Sequence, residues 1–423
     1  SRNGKLYSTQ RLVEAARTGQ IEWAVDPSLY AEVSDMADGY RVVAGASTAQ
    51  GPGSDVARQW LDAVDALPRS TGRQLLYGTP DLSGAARVGD PAVLDRALAA
   101  GKADPVPGLS TVVWTPHLDP ATVTLAARAD TPLLTTGTGV ESPAAAHDGR
   151  LVLRATPLAG LTGQALPDGR VNRASALAAL ARVAGGQVRF VTTPGELATD
   201  RYARYAWMST ASAFQPSGTL PAYQPPESVE GQSVVTPTLA RTLDALASDL
   251  VAYGDAAPTS GMAALADATA SRGASLAWLR NTGDHTVWLD AVRSRFGARA
   301  VAAGIVLDAA PRLTMSSDTA DFPVTVTNSL SDPVTVVLVS DSENSARLRV
   351  EPSQPLTIRP NASETVTLRA SAAANGVVTA RIHAQTENRR RLSPDVLITV
   401  EATSLGMLGW ILVVVSGVVL VVS

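Results

Sequence analysis

Two hydrophobic rhythms divide this chain. Through residues 1–200, short apolar runs alternate with stretches whose apolar residues recur at helical spacing. "EWAVDPSL", "YRVVAG", "RQLLYGTPDL", "STVVWTPH", "PLLTTGTG", "RLVLRAT" and "QVRFVTTP" read as strands. "GSDVARQWLDAVDALP", "PAVLDRALAAGKA" and "RASALAALARVAGG" read as helices, the first with Val56, Trp60, Ala63, Val64 and Leu67 on one side. Repeated βα units of this kind predict a parallel sheet, open or closed, and the number of strands suits a distorted barrel. After the Pro-rich stretch "FQPSGTLPAYQPPESVEGQ", residues 227–306 become mainly helical, with Thr236 before Pro237 as an N-cap followed by proline at the first helical position.

From about residue 307 the period changes to two. Val324, Val326 and Asn328 alternate with Thr325 and Thr327, and seven short runs rich in Val, Thr and Ile succeed one another to Thr403. That pattern predicts an immunoglobulin-like β-sandwich. Asn361-Ala-Ser363 matches a glycosylation sequon but reads as the turn before "ETVTLRASA".

Beyond Thr403 the polar positions almost vanish. "LGMLGWILVVVSGVVLVVS", Leu405 to Ser423, contains no charge. Helical at about 1.5 Å per residue, its 18 residues to Val422 would span about 27 Å against a hydrocarbon core of about 30 Å, which predicts one transmembrane helix. Gly406, Gly409, Ser416 and Gly417 fall at intervals that suit packing against a partner helix. The expected architecture is therefore an α/β barrel-like domain (1–226), a helical region on or completing it (227–306), a sandwich (307–403) and a membrane span (404–423). Arg389, Arg390 and Arg391 would by charge bias favour a cytoplasmic body, although they read as part of a hairpin turn.

Composition narrows the chemistry. Net charge is −4, with no basic footprint for nucleic acid. There are no cysteines, which excludes disulfides, thiolate catalysis and Cys-ligated metals. Lys5 and Lys102 are the only lysines, which with the abundant alanine suggests a GC-rich genome. The polar start at Ser1 shows no signal peptide, as expected either of a trimmed sequence or of numbering that begins inside a longer precursor.

In a parallel α/β body, catalytic groups lie where strands end. Asp26, Asp81 and His117, with Asp119 close behind, occupy such places. Asp26 and Asp81 could form the carboxylate pair of a glycosidase, or with His117 hold a metal for deacetylation. Against both, "VDP", "TPD" and "LDP" are common capping turns, and no nucleophile elbow, paired-histidine helix or phosphate loop occurs. Trp23, Tyr77 and Trp114 lie on the same strands, as glycan platforms or as core. No cofactor is called for.

"EWAVDPSLYAEVSDMADGY", "ARQWLDAV", "SLAWLRN", "FPVTVTNSLSDPVTVVL", "SETVTLRASAAANG" and the apolar ending together resemble a family of exported, membrane-anchored actinobacterial proteins encoded beside the MurJ-type lipid II flippase. The resemblance implies a deacetylase- or glycosidase-like barrel, a sandwich and a single-pass anchor, with the body outside the membrane. It also implies a signal and a further β-rich segment before Ser1. Relatives carry a Pro-Tyr-x-Asp-Pro-Asp type run, where this chain has "LLYGTPDL" with Thr79 in place of the earlier Asp. The resulting expectation is a non-catalytic cell-envelope accessory protein that binds a membrane partner, the flippase, in peptidoglycan precursor export. The alternative is a surface carbohydrate-active enzyme or a glycan-binding pseudoenzyme.

Overall fold

The computed structural model describes residues 5–19, 21–44, 47–137, 144–157, 188–203, 212–216, 218–226 and 231–403. Two compact units emerge. One comprises Ser1–Asp244 with Asp267–His285, the other Ala245–Ala266 with Thr286–Ser423.

In the first unit the strands are β1 (Trp23–Val25), β2 (Arg41–Ala44), β3 (Ser47–Gln50), β4 (Gly72–Gln74), β5 (Ser110–Thr111), β6 (Val113–Thr115), β7 (Leu133–Thr135), β8 (Ala144–His147), β9 (Arg150–Pro157) and β10 (Val188–Phe190). Its helices are α1 (Lys5–Arg17), α2 (Pro27–Asp38), α3 (Ser54–Asp65), α4 (Leu82–Val88), α5 (Ala92–Ala103), α6 (Pro120–Ala126) and α7 (Pro194–Ala203). β1, β4 and β5 pair in parallel, as do β6, β7, β9 and β10. Val112 joins the two sets, donating its N–H to the Gln74 carbonyl at 2.9 Å.

The expected barrel is not what forms. Among the described residues β1 pairs only with β4 and β10 only with β9, so the parallel strands make open sheets. Two features oppose closure. The strands are mostly two or three residues long, and an antiparallel β8 occupies the Arg150–Leu153 part of β9, leaving three residues for β10. The run "YRVVAG" also departs from expectation, since β2 forms an antiparallel hairpin with β3 outside the parallel sheets. Helix α3 buries Ala57, Trp60 and Val64 as its spacing predicts, but Val56 lies exposed at the edge of that face. The expected helix over 173–186 lies outside the described residues.

Helices α8 (Pro237–Ala256), α9 (Ala266–Gly273), α10 (Thr282–Phe296) and α11 (Ala298–Gly304) come next, and the division between units falls inside α8 and α10. The second unit is built on a β-sandwich. Its strands are β11 (Ile305–Ala309), β12 (Arg312–Met315), β13 (Thr319–Asn328), β14 (Val334–Ser342), β15 (Leu348–Val350), β16 (Leu356–Ile358), β17 (Ala362–Ala372), β18 (Gly376–Gln385) and β19 (Val396–Ala402). One sheet runs β11-β13-β17-β15 and the other β12-β19-β18-β14-β16. Alternate residues meet between them: Val324, Val326, Val336, Leu338 and Ile382 are fully buried, each worth about 1.5–3 kcal/mol of burial. Tyr253, Ala256 and Val301, from the helices of this unit, share that core. Asn328 is the buried exception. Its amide donates to the Asp332, Ile358 and Arg359 carbonyls while its oxygen accepts from Leu330 N–H, tying the ends of β13 and β16 together. Asn361 sits in the left-handed region (φ 53°) immediately before β17, which makes the sequon a turn.

The expected transmembrane helix also needs correction. No helix among the described residues is long and apolar enough to cross a membrane. Residues 404–423, with Gly406, Gly409, Ser416 and Gly417, lie outside the described residues.

Candidate functional site

Asp26 directly follows β1 and caps α2. Its Oδ1 accepts from Ser28 N–H at 2.8 Å and from Gly78 N–H at 2.9 Å, and its Oδ2 accepts from the Thr79 hydroxyl at 2.6 Å. The carboxylate thus pins the turn after β4 to the end of β1. That turn is strained, because Gly78 (φ 75°) and Thr79 (φ 43°) are both left-handed, and a Thr there costs about 1–2 kcal/mol. A side chain at Gly78 would add strain on two counts, since its φ is left-handed and a Cβ would lie 3.0 Å from the Ser271 backbone.

Asp81 is only 1% exposed and fully committed to hydrogen bonding. Oδ1 caps α4 through Gly84 N–H at 2.9 Å; Oδ2 accepts from the Ser233 hydroxyl, at 2.5 Å, and from Val234 and Val235 N–H, at 2.7 and 3.1 Å. The nearby backbone is engaged as well, Asp81 N–H donating to the Ala274 carbonyl and the Thr79 carbonyl accepting from Leu276 N–H. Asp119 repeats the capping theme, accepting from Thr122 N–H at 2.7 Å to start α6. All three aspartates stand immediately before the first residue of a helix. The side chain supplies the acceptor that the first turn lacks.

His117 does not join the two carboxylates in any shared hydrogen bond. Its carbonyl accepts from Thr115 and Ser83, and its ring abuts the backbone of Gly231, where a Cβ would lie 2.6 Å from Nε2. The segment 231–235 therefore runs past His117 as a strap, latched by Asp81, with Arg87 donating to the Gly231 carbonyl at 3.5 Å. Thr115 and Thr135 are buried, their hydroxyls donating to the His117 and Pro116 carbonyls. Among the described residues no three His, Asp or Glu side chains converge as a metal would require.

The aromatic candidates pack against protein. Trp23 donates its indole N–H to the Pro68 carbonyl, and Gly72 lies so close beneath the ring that a Cβ would be 2.5 Å away. Tyr77 is buried with the Arg272 guanidinium 5.5 Å above its ring, and burial pushes its phenol above the usual range. Trp114 stacks on Phe190 at 5.7 Å. The capping roles of Asp26, Asp81 and Asp119 were readable from their Asp-Pro and Pro-Asp contexts. Ser233, Gly231 and Arg272 carried no local signal, because their importance comes from partners far away in the chain.

No curated protein matches this chain. Solved structures similar to it include WR4, a C. elegans MSP family member, at 11% identity, over 24% of this chain and 98% of that one, with a TM-score of 0.19. The periplasmic chaperone SfaE is similar at 16% identity, over 24% of this chain and 58% of that one, with a TM-score of 0.19. Domains 4 and 5 of the S-layer protein SbsC are similar at 18% identity, over 24% and 51%, with a TM-score of 0.17. These likenesses carry no functional argument. Residues 230–422 match a family described as "Family of unknown function (DUF6049)".

Proposed function

We propose that this chain is a non-catalytic accessory protein of the cell envelope that acts by binding. It is held at a membrane, its folded units lie on the outer side, and its partner is an integral membrane protein. The resemblance noted in the sequence makes a MurJ-type lipid II flippase the first partner to test, within peptidoglycan precursor export.

The observation that supports acting by binding is the state of the strand-end carboxylates. Asp26 accepts three hydrogen bonds and Asp81 four, mostly from backbone N–H groups, leaving neither carboxylate poised as nucleophile or base. The test is affinity purification of the full chain from native membranes, followed by quantification of the flippase. Enrichment over a membrane-protein control is expected, and its absence would remove the partner. In parallel, Asp26→Asn and Asp81→Asn should lower the melting temperature. Turnover of cell-wall glycan by the wild type that these variants abolish without loss of fold would restore the enzyme reading.

A further inference from the structure

Residues 273–285 run from the end of α9 into the first turn of α10, and the two ends of this loop are tied together. The His285 imidazole donates to the Gly273 carbonyl, and its ring stacks on Trp278 with centroids 4.8 Å apart and planes 9° from parallel. Trp278 in turn donates its indole N–H to the Arg272 carbonyl at 2.7 Å. His285 is the buried residue of α10, at 9% exposure, while Asn281 to Asp284 and Thr286 around it are exposed. A helix start with a single buried side chain depends on that side chain for its seat.

The first half of the loop lies along the strand-end turn that Asp26 and Asp81 pin. Pro80 and Ser275 face each other as an isolated antiparallel bridge. Asp81 N–H donates to the Ala274 carbonyl at 2.8 Å, and Leu276 N–H to the Thr79 carbonyl at 3.0 Å. Arg272, just before the loop, donates to the Ser28 carbonyl at 3.3 Å and lies over the Tyr77 ring. The loop is thus a flap on this turn, with its far end held by His285.

We infer that residues 273–285 form an acid-released flap whose latch is the neutral imidazole of His285, seated on Trp278 and Gly273. Three features of the position oppose an imidazolium. The ring is buried, and one N–H already serves the Gly273 carbonyl, so a proton on the second nitrogen brings in only an uncompensated charge. His285 also lies in the first turn of α10, where the positive end of the helix dipole repels a cation. The charged side chains of the adjoining elements do not offset this. Asp284 and Arg280 are exposed, Arg272 lies 3.5 Å from Glu32, and Asp267 lies 3.9 Å from Arg96. Burial accordingly holds the imidazole below the ordinary histidine range, against a smaller upward push from the Gly273 carbonyl.

The sign follows. In the released flap the ring takes up its proton near the ordinary value of about 6.5, so the latch is at full strength above that pH. It weakens as pH falls through the lower value of the closed flap. Release frees the Trp278 stack and loosens the bridge that covers Thr79 and Asp81.

Hydrogen exchange of the intact chain at pH 7 and pH 5, corrected for the intrinsic pH dependence of exchange, tests the latch. Peptides covering 276–288 should exchange several-fold faster at pH 5, while peptides from β13 and β17 keep their protection. His285→Phe keeps an aromatic ring against Trp278 and cannot titrate, so it should lose this acid response. Equal protection of 276–288 at both pH values in the wild type, or the same response in His285→Phe, would overturn the latch. Imidazole NMR of the wild type reads it without any variant. His285, marked among the chain's four histidines by the upfield shift from the stacked indole, should titrate below the value measured in the urea-unfolded chain. Titration at or above that value would overturn the latch as well.

Discussion

The two units hold themselves together by different means. In the sandwich, strands of seven to ten residues such as β13, β14 and β19 bury alternate side chains along most of their length, and the ladder and the apolar core share the load. In the α/β unit the parallel strands run two or three residues over most of their length, too short for ladders alone to fix the register of the neighbouring elements. There, single polar side chains take over. Asp26 pins one turn, Asp81 a helix and a strap, and the buried Gln74 bonds both the Thr111 hydroxyl and Val106 N–H. Glu196, also buried, accepts from the Thr192 hydroxyl and from the Thr192 and Thr193 N–H groups ahead of α7. Buried carboxylates in such a unit look catalytic by position and are architectural by partner.

Removing the Asp81 carboxylate tests this most severely. Asp81→Ala leaves the Ser233 hydroxyl and three backbone N–H groups without their acceptor, and a loss of about 4 kcal/mol is expected, read as a shift in urea midpoint. A change near zero would mean that water replaces the latch and that the contrast between the units is false. Leu338→Ala, at a fully buried position in the sandwich, should cost about 3 kcal/mol, through lost burial and a cavity, by the same measurement.

Thr79→Gly sets relief of left-handed strain against loss of the hydrogen bond to Asp26. The bond to a charged acceptor outweighs the strain, so a net loss of about 1 kcal/mol is expected, while Thr79→Ser keeps the hydroxyl and loses less. A stabilised glycine variant would show that the turn, not the clamp, dominates.

The smallest effect expected is pH-dependent. His285 stacks on Trp278 at 4.8 Å, and burial holds its imidazole below the ordinary histidine range. Its folded-state value lies below its unfolded one, so its contribution is complete above about pH 6.5 and is lost as pH falls through the lower, folded value. Melting temperatures at pH 7 and pH 5 should diverge more for the wild type than for His285→Phe.

How much was legible in advance differs between the units for the same physical reason. Alternation gave seven of the sandwich strands. It missed β11, which continues an apolar helix without a break, and β16, three residues beside prolines. In the α/β unit the local grammar of capping was readable at Asp26, Asp81 and Asp119. Closure into a barrel was not, since it depends on what pairs with β9 and how short β10 is. Nor were the partners of Asp81, 152 to 154 positions away in the chain, visible to any local pattern.

The strap has a practical corollary for anyone dividing this chain. The family match begins at residue 230, immediately before Gly231, and looks like a natural place to cut. A fragment starting there would carry Ser233, Val234 and Val235 away from Asp81, and residues 267–285 away from the unit with which they fold. Likeness to a family and autonomy in folding draw their borders in different places, and here the keeper of the latch lies on the far side of the cut.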